Sequence, residues 1–456
     1  MPQTSVNPAT GEVLARIDDH TADEVEHRLA RAAAAAAAWR ATPLEARLAM
    51  LRRVADRLDA EREPLARLAT IEMGKPIQAS RDEVAKCANL CRYYAETAPG
   101  FLAPERVLRD GREDGAVHFL PLGVLLAVMP WNFPYWQAIR AAAPALAAGN
   151  AVMLKHASNV PQCALAIERI FESAGARDGT FTTLLVPAAR AGALIEDPRI
   201  AAVTLTGSEA AGRDVGARAG GAIKPCVLEL GGSDPFIVLA SADVDAAAAT
   251  AARARCINNG QSCIAAKRFI VHEAVYDAFA ARLVAAMHAL RMGDPLDEAT
   301  DIGPLATASI RREVDDQVRR TVAAGARVLT GGVVPQGTGN FYAPTVLADV
   351  PRDSAAAREE VFGPVAPLFR VGTADQALAL ANDTTFGLAA SVWTRDADEA
   401  DRFAAGIEAG SVFINAMVAS DPRFPFGGVK ASGIGRELAR EGLRAFVNVK
   451  TVRGAP

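Results

Sequence analysis

Apolar residues recur at helical spacing through residues 21–100, which predicts a run of helices there. Thr21-Ala-Asp-Glu24 stands before an Ala-rich stretch and has the capping-box pattern of a helix start. Residues 83–97 keep the same period, and Cys87 and Cys91 fall on it four apart, which reads as core packing. From residue 120 the pattern changes. Residues 121–129 form a continuous apolar run, the mark of a strand buried on both faces. Pro130-Trp-Asn-Phe-Pro134 breaks it, and a helix is expected next, with Pro134 near its first turn. Residues 151–154, 182–186, 201–205 and 227–230 read as further strands, with helices such as 161–174 between them. Thr206-Gly-Ser-Glu-Ala-Ala-Gly212 opens another helix, and Gly231-Gly232 ends the last strand of the series.

Strand and helix in alternation predict a doubly wound parallel sheet with right-handed crossovers. Residues 236–430 repeat the alternation, so a second α/β domain is expected. The tail, residues 446–452, alternates apolar and polar positions and cannot be stable alone. It is expected to pair with a hairpin near residues 105–119 as a small β flap for oligomerisation. The expected division is therefore 1–103 with 120–231, then 232–430, with 104–119 and 431–456 forming the arm.

Composition narrows the field. A chain of 456 residues is long enough for two domains. The 49 Lys and Arg against 53 Asp and Glu leave a net charge of −4, which is no footprint for nucleic acid or an anionic membrane. The six cysteines form no C-x-x-C pair and the histidines no zinc spacing, so no metal site is expected. The apolar run near 138–154 is cut by Pro144 and Gly149-Asn150, which argues against a membrane span. The N-terminal stretch lacks the apolar core of a secretory signal, so a reducing cytoplasm with free thiols is the expectation.

Four places carry candidate chemistry. Cys263 follows Asn258-Asn-Gly-Gln-Ser262, a polar turn in which Gly260 permits close backbone approach. It is either a plain loop cysteine or a nucleophile, and a nucleophile needs activation because a free thiol is mostly protonated at pH 7. Glu229 sits at a strand end between two leucines. There it is either solvated at the sheet edge or placed where α/β ligands bind, as a general base. Asn132, at a strand-to-helix junction, is either an N-cap or an amide donor for an oxyanion. The small residues of the 206–212 loop would let a pyrophosphate approach the helix N-terminus, although no G-x-G-x-x-G is present.

Taken together, Pro130-Trp-Asn-Phe-Pro134, Lys155, Thr206-Gly-Ser208, Leu228-Glu-Leu-Gly-Gly232, Gly260-Gln-Ser-Cys263, Glu360-Val-Phe-Gly-Pro364 and Phe426-Gly-Gly-Val-Lys430 resemble the motif series of the NAD(P)-dependent aldehyde dehydrogenases. They occur in that family's order and span nearly the whole chain, from Asn7-Pro-Ala-Thr-Gly11 to the tail. The resemblance implies two Rossmann-like parallel-sheet domains plus the small oligomerisation flap, and a homodimer or homotetramer. It implies Cys263 as the nucleophile that forms a thiohemiacetal and then a thioester. Glu229 would be the deacylating base, and Asn132 with the Cys263 N–H would hold the oxyanion. Lys155 would hold a ribose, Glu360 the nicotinamide ribose, and Phe362 the nicotinamide end. Trp131, Gly207, Ser208 and Leu230 complete the implied cofactor-binding set.

One departure bears on the cofactor. Members that use NAD commonly carry a Glu three positions after the lysine, whereas this chain reads Lys155-His-Ala-Ser158. A serine does not repel a 2′-phosphate, so NADP is expected in preference to NAD. Trp136 and Arg140 share a helix face that starts beside Asn132 and should run along a substrate channel. Arg140 could clamp a carboxylate with Ser420 as a second donor, or it could form a structural salt bridge. Residues 131–136 with Arg140, the Lys155–Ser158 stretch, residues 228–235 and the 419–421 loop are similar to bacterial succinate-semialdehyde dehydrogenases. That implies a short ω-carboxylated aldehyde as substrate. The alternatives are acyl transfer to coenzyme A, which needs no hydrolytic Glu229, a broad-specificity enzyme, and a non-catalytic dinucleotide-binding protein.

Overall fold

Four helices, Ala22–Ala41, Leu44–Ala60, Arg62–Met73 and Ile77–Leu102, occupy the stretch with the helical period. The computed structural model describes residues 2–109 and 112–454. Residues 110 and 111 of the expected hairpin, and the chain ends at 1, 455 and 456, lie outside the described residues. The Thr21 hydroxyl accepts from Glu24 N at 3.2 Å and the Glu24 carboxylate accepts from Thr21 N at 2.7 Å, so the capping box closes. Cys87 and Cys91 are buried in the apolar cluster that also holds Leu51, Val54 and Leu90.

A six-stranded sheet runs in the order Gly433–Ile434, Cys226–Glu229, Ile200–Thr206, Val124–Met129, Ala151–His156, Phe181–Leu184. Its neighbours are parallel except Gly433–Ile434, which lies antiparallel to Cys226–Glu229. Strand order reverses at Val124–Met129, so a crevice opens beyond the carboxyl ends of this strand and Ile200–Thr206. Asn132 and the Thr206–Ser208 loop lie at that crevice because they directly follow those two strands.

The apolar run at 121–129 is not one strand. Pro121 closes the strand Arg112–Pro121 of a different sheet, and Val124–Met129 begins the parallel one. At the corner Gly123 has φ +144°, and Asn150 Oδ1 accepts from Leu122 N at 2.8 Å and Gly123 N at 3.0 Å. Hydrophobicity passes through the corner unbroken, so the pattern carries no sign of it. The apolar stretch at 138–154 is likewise two elements, the helix Trp136–Ala148 and the strand Ala151–His156, joined at Gly149 with φ +100°. No helix among the described residues is long and apolar enough to cross a membrane.

The second large sheet has seven strands, ordered Arg327–Thr330, Thr345–Ala348, Val365–Val371, Arg268–His272, Pro235–Val238, Ala389–Trp393, Ser411–Ile414. Only the Arg327–Thr330 edge is antiparallel. A third sheet joins Glu105–Arg109, Arg112–Pro121 and Val447–Arg453, with Val447 opposite Pro121 and Arg453 opposite Gly115. Its strands leave Val107, Leu108, Val449 and Val452 exposed.

Candidate active site

The turn before Cys263 is built from backbone that most residues avoid. Asn258, Asn259 and Gly260 hold φ values of +54°, +60° and +76° in succession. Asn tolerates the left-handed region better than other side chains that carry a Cβ. Here both asparagines also tie the turn down. Asn259 Nδ2 donates to Gly74 O and Pro304 O, each at 2.9 Å. Asn258 Nδ2 donates to Asn132 O at 2.8 Å and Gln261 O at 3.0 Å. A Cβ at residue 260 would fall 2.5 Å from Pro364 N, so glycine is required there. The turn delivers Cys263, half-buried, to the walls of two cavities. Lys267 Nζ donates to Cys263 O at 2.5 Å and lies 3.1 Å from Glu360 Oε1. Burial pushes the Cys263 thiol up to about 11, against the pull of the Lys267 and Arg140 charges. The resting group is therefore a thiol, and it needs a base to become a nucleophile.

The larger cavity, of roughly 640 Å³, lies at the sheet crevice and is lined by Trp131, Gly207, Ser208, Leu230, Glu360 and Phe362 together with Asn132 and Cys263. Ser208 caps the helix Glu209–Gly221, accepting from Ala211 N at 3.3 Å, and so sets that helix's free N–H groups at the cavity wall. The Trp131 and Phe362 rings meet edge to face with centroids 5.8 Å apart. An anion-binding helix end, a carboxylate for hydroxyls and an aromatic end beside Cys263 fit an extended dinucleotide. Lys155 and Ser158 lie outside this cavity. Lys155 is buried, and desolvation holds its ammonium below the usual lysine range while Asp19 partly offsets it. Ser158 lines a separate space of roughly 380 Å³ with Asp19, Asn159 and Pro187.

The smaller cavity, of roughly 240 Å³, brings Cys263 together with Phe133, Trp136, Phe426, Arg140, Ser420 and Lys86. The helix Trp136–Ala148 that carries two of these groups is anchored by Glu83. Its Oε1 accepts from Tyr135 N and Trp136 N, each at 2.8 Å, while its other oxygen pairs with buried Lys75. Without Glu83 two N–H groups at a buried helix start would lack a partner, at about 1–3 kcal/mol each.

Arg140 is where the expected clamp meets a competitor. Its Nε lies 2.5 Å from Glu437 Oε2, its Nη2 donates to Thr206 Oγ1 at 3.3 Å, and its guanidinium lies 4.9 Å from the Phe426 ring centroid. The structural salt bridge thus exists, within one chain. Glu229 is buried nearby, and among the described residues neither of its carboxyl oxygens has a hydrogen-bond partner. Burial and the Glu437 charge raise its pKa well above the usual range, with Arg140 and Arg436 pulling it down. It lies at the carboxyl end of its strand as expected, but its side chain packs against Gly427 and lines neither cavity.

Arg140→Ala would leave two buried carboxyl groups without their shared cation. It is expected to lower unfolding free energy at pH 7 by about 3–5 kcal/mol, read from urea melts. The sign with pH follows from the raised carboxyl pKa values, which place the proton on the folded state. Stability from such groups is present at acid pH and lost as pH rises, so the deficit should shrink at pH 5 and grow toward pH 8. An unchanged melt at every pH would sink this account.

Three residues that sequence reasoning missed complete the site. Lys86 shares a helix with Cys87 and Cys91, and its period there is that of a solvated position. Lys267, four residues after Cys263, reads as an ordinary surface lysine but is buried. Glu437 carries no signal at all, because its partner is 297 positions away along the chain, Arg140 being the earlier residue. The sequence profile of the aldehyde dehydrogenase family matches residues 2–452. The chain is 54% identical over 454 residues to the protein named succinate-semialdehyde dehydrogenase (NADP+) 1 of Mycobacterium tuberculosis, covering 99% of both. It is 52% identical, also across 99% of both, to succinate-semialdehyde dehydrogenase (NADP+) of Mycobacterium leprae. The crystal structure of succinic semialdehyde dehydrogenase from Streptococcus pyogenes with NADP+ superposes at a TM-score of 0.97, with 36% identity over 100% of both chains.

Proposed function

This chain belongs to the aldehyde dehydrogenase family, and on that premise we propose that it oxidises succinate semialdehyde to succinate with NADP as hydride acceptor. The observation that carries the substrate reading is the smaller cavity, which joins Cys263 to an apolar wall and to two cations, Lys86 and Arg140. A short aldehyde ending in a carboxylate matches that arrangement.

In this reading the Cys263 thiol first loses its proton to solvent, and the thiolate adds to the aldehyde carbon, opening the C=O π bond to give a C–S bond and an oxyanion. Asn132 Nδ2 already donates to Gln261 O at 3.0 Å. An amide has a second N–H, and Asn132 offers it to the oxyanion. One such donor stabilises the transition state by roughly 3–4 kcal/mol. NADP, when bound, would supply the acceptor for the hydride of the thiohemiacetal carbon, which would leave the acyl group on Cys263 as a thioester. Glu229 turns from its buried position and takes a proton from the attacking water. The C–S bond breaks and succinate departs. Trp131, Gly207, Ser208, Leu230, Glu360 and Phe362 would hold the dinucleotide, with Lys155 and Ser158 serving its 2′-phosphate end. The reading has the enzyme act in the cytoplasm and as a homo-oligomer, and the exposed valines and leucine of the three-stranded arm sheet support the oligomer.

The test is reduced-cofactor absorbance with succinate semialdehyde, NADP and NAD side by side, on wild type and Ser158→Glu. Wild type should favour NADP in kcat/KM. The variant should favour NAD, because its carboxylate repels the 2′-phosphate and accepts from the 2′-hydroxyl. A wild type that favours NAD would remove the NADP reading, and one that favours a neutral aldehyde would remove the substrate reading.

A further inference from the structure

The two cations of the smaller cavity are not equivalent. The Arg140 charge is matched by Glu437, both of them buried. Lys86 pairs with no carboxylate among the described residues. Its Nζ donates to Ser420 Oγ at 2.6 Å and sits 4.1 Å from the centroid of the Trp136 ring. The charged and titratable groups about it are Glu83, Cys87 and the cavity-lining Asp82 from its own helix, Arg140 from the Trp136–Ala148 helix, and Asp421 beside Ser420. All three carboxylates have other partners. Glu83 holds Lys75, Tyr135 N and Trp136 N, Asp82 accepts from Gln78 and lies 3.9 Å from Arg62, and Asp421 is gripped by Arg423. Lys86 is therefore a largely desolvated ammonium short of an anion, with desolvation and the Arg140 charge lowering its pKa to about 8.

We propose that Lys86, with Ser420, binds the substrate's carboxylate. The inference rests on the succinate semialdehyde reading. Ser420 Oγ accepts from Lys86, so its own proton is free to be donated to a carboxylate oxygen. The Trp136 face holds the ammonium in place by cation–π attraction. A carboxylate arriving here gains two charge-assisted hydrogen bonds without displacing an ion pair.

The experiment compares succinate semialdehyde with butanal, both with NADP, on wild type, Lys86→Met and Lys86→Arg, from pH 6.5 to 9.5. In Lys86→Met, KM for succinate semialdehyde should rise roughly 30-fold or more while the butanal value moves by less than about threefold. Lys86→Arg should keep most of the wild-type preference. In wild type the ratio of kcat/KM values, acidic over neutral aldehyde, should fall as pH rises past about 8. It should stay flat in Lys86→Arg, whose guanidinium keeps its charge. Titration of Cys263 and Glu229 cancels from that ratio, since both aldehydes use them. A Lys86→Met enzyme that keeps the wild-type preference overturns the inference and leaves the substrate reading standing. Equal losses on both aldehydes also overturn it. A wild type with no preference for succinate semialdehyde rejects the substrate reading itself.

Discussion

Cys263→Ala is expected to abolish cofactor reduction with every aldehyde, a loss of at least about 10⁴-fold in kcat. No other thiol can stand in. Cys87, Cys91, Cys163 and Cys256 are buried, and Cys226 lies on the strand Cys226–Glu229, where it lines neither cavity. The variant should still bind NADP, because Trp131, Glu360 and Phe362 are untouched, and fluorescence titration can show this. The wild-type thiol has its own signature. With its pKa pushed up to about 11, its thiolate fraction climbs about tenfold per pH unit across the neutral range. Alkylation by iodoacetamide should therefore speed up steadily from pH 7 to pH 9 in the cofactor-free enzyme. A plateau near pH 7 would mean that something in the folded protein already holds the thiolate, and appreciable aldehyde oxidation by the alanine variant would end the nucleophile assignment.

Glu229→Gln should separate the two halves of the reaction. Hydride transfer needs the thiolate and the oxyanion donors, whereas release of the acid needs a base for water. The expected trace is a burst of about one reduced cofactor per active site, followed by turnover slowed roughly 10²–10⁴-fold. Glutamine keeps the shape of the side chain in a pocket where Glu229 makes no hydrogen bond of its own among the described residues, so the fold should tolerate it. Disappearance of the burst would show that Glu229 also takes the thiol proton. Steady turnover near the wild-type rate would remove Glu229 from the mechanism. Coenzyme A restoring turnover where water fails would point to acyl transfer in the wild type as well.

Glu229 shows how a residue can be found and its posture still missed. Its place at a strand's carboxyl end follows from an apolar strand pattern ended by two glycines. Its turn inward, toward Gly427 and the Arg140–Glu437 pair, follows from elements that arrive about 200 residues later. The same holds for Arg140. A lone arginine in an apolar helix announces that it needs a partner, and both a substrate and a salt bridge satisfy that need. The strand Gly433–Ile434, laid against Cys226–Glu229 just ahead of Glu437, is what brings the salt-bridge partner to it. The corner at Gly123 was hidden for a different reason, since burial on both sides of it left no polar residue to mark the break.

The sequence by itself determined the helices and most strands, the Asn258–Gly260 turn that carries Cys263, and the loop that caps the Glu209–Gly221 helix. Each of these depends on residues a few positions apart, and backbone preference and hydrophobic period act over that range. The tertiary structure alone decided which partner each buried charge meets. Lys86 meets Ser420 across 334 positions and Arg28 meets Glu168 across 140, and no local rule sees such distances. Burial then turns those meetings into chemistry, because in a low-dielectric interior an ion's neighbours, and not its type, set its protonation and its use.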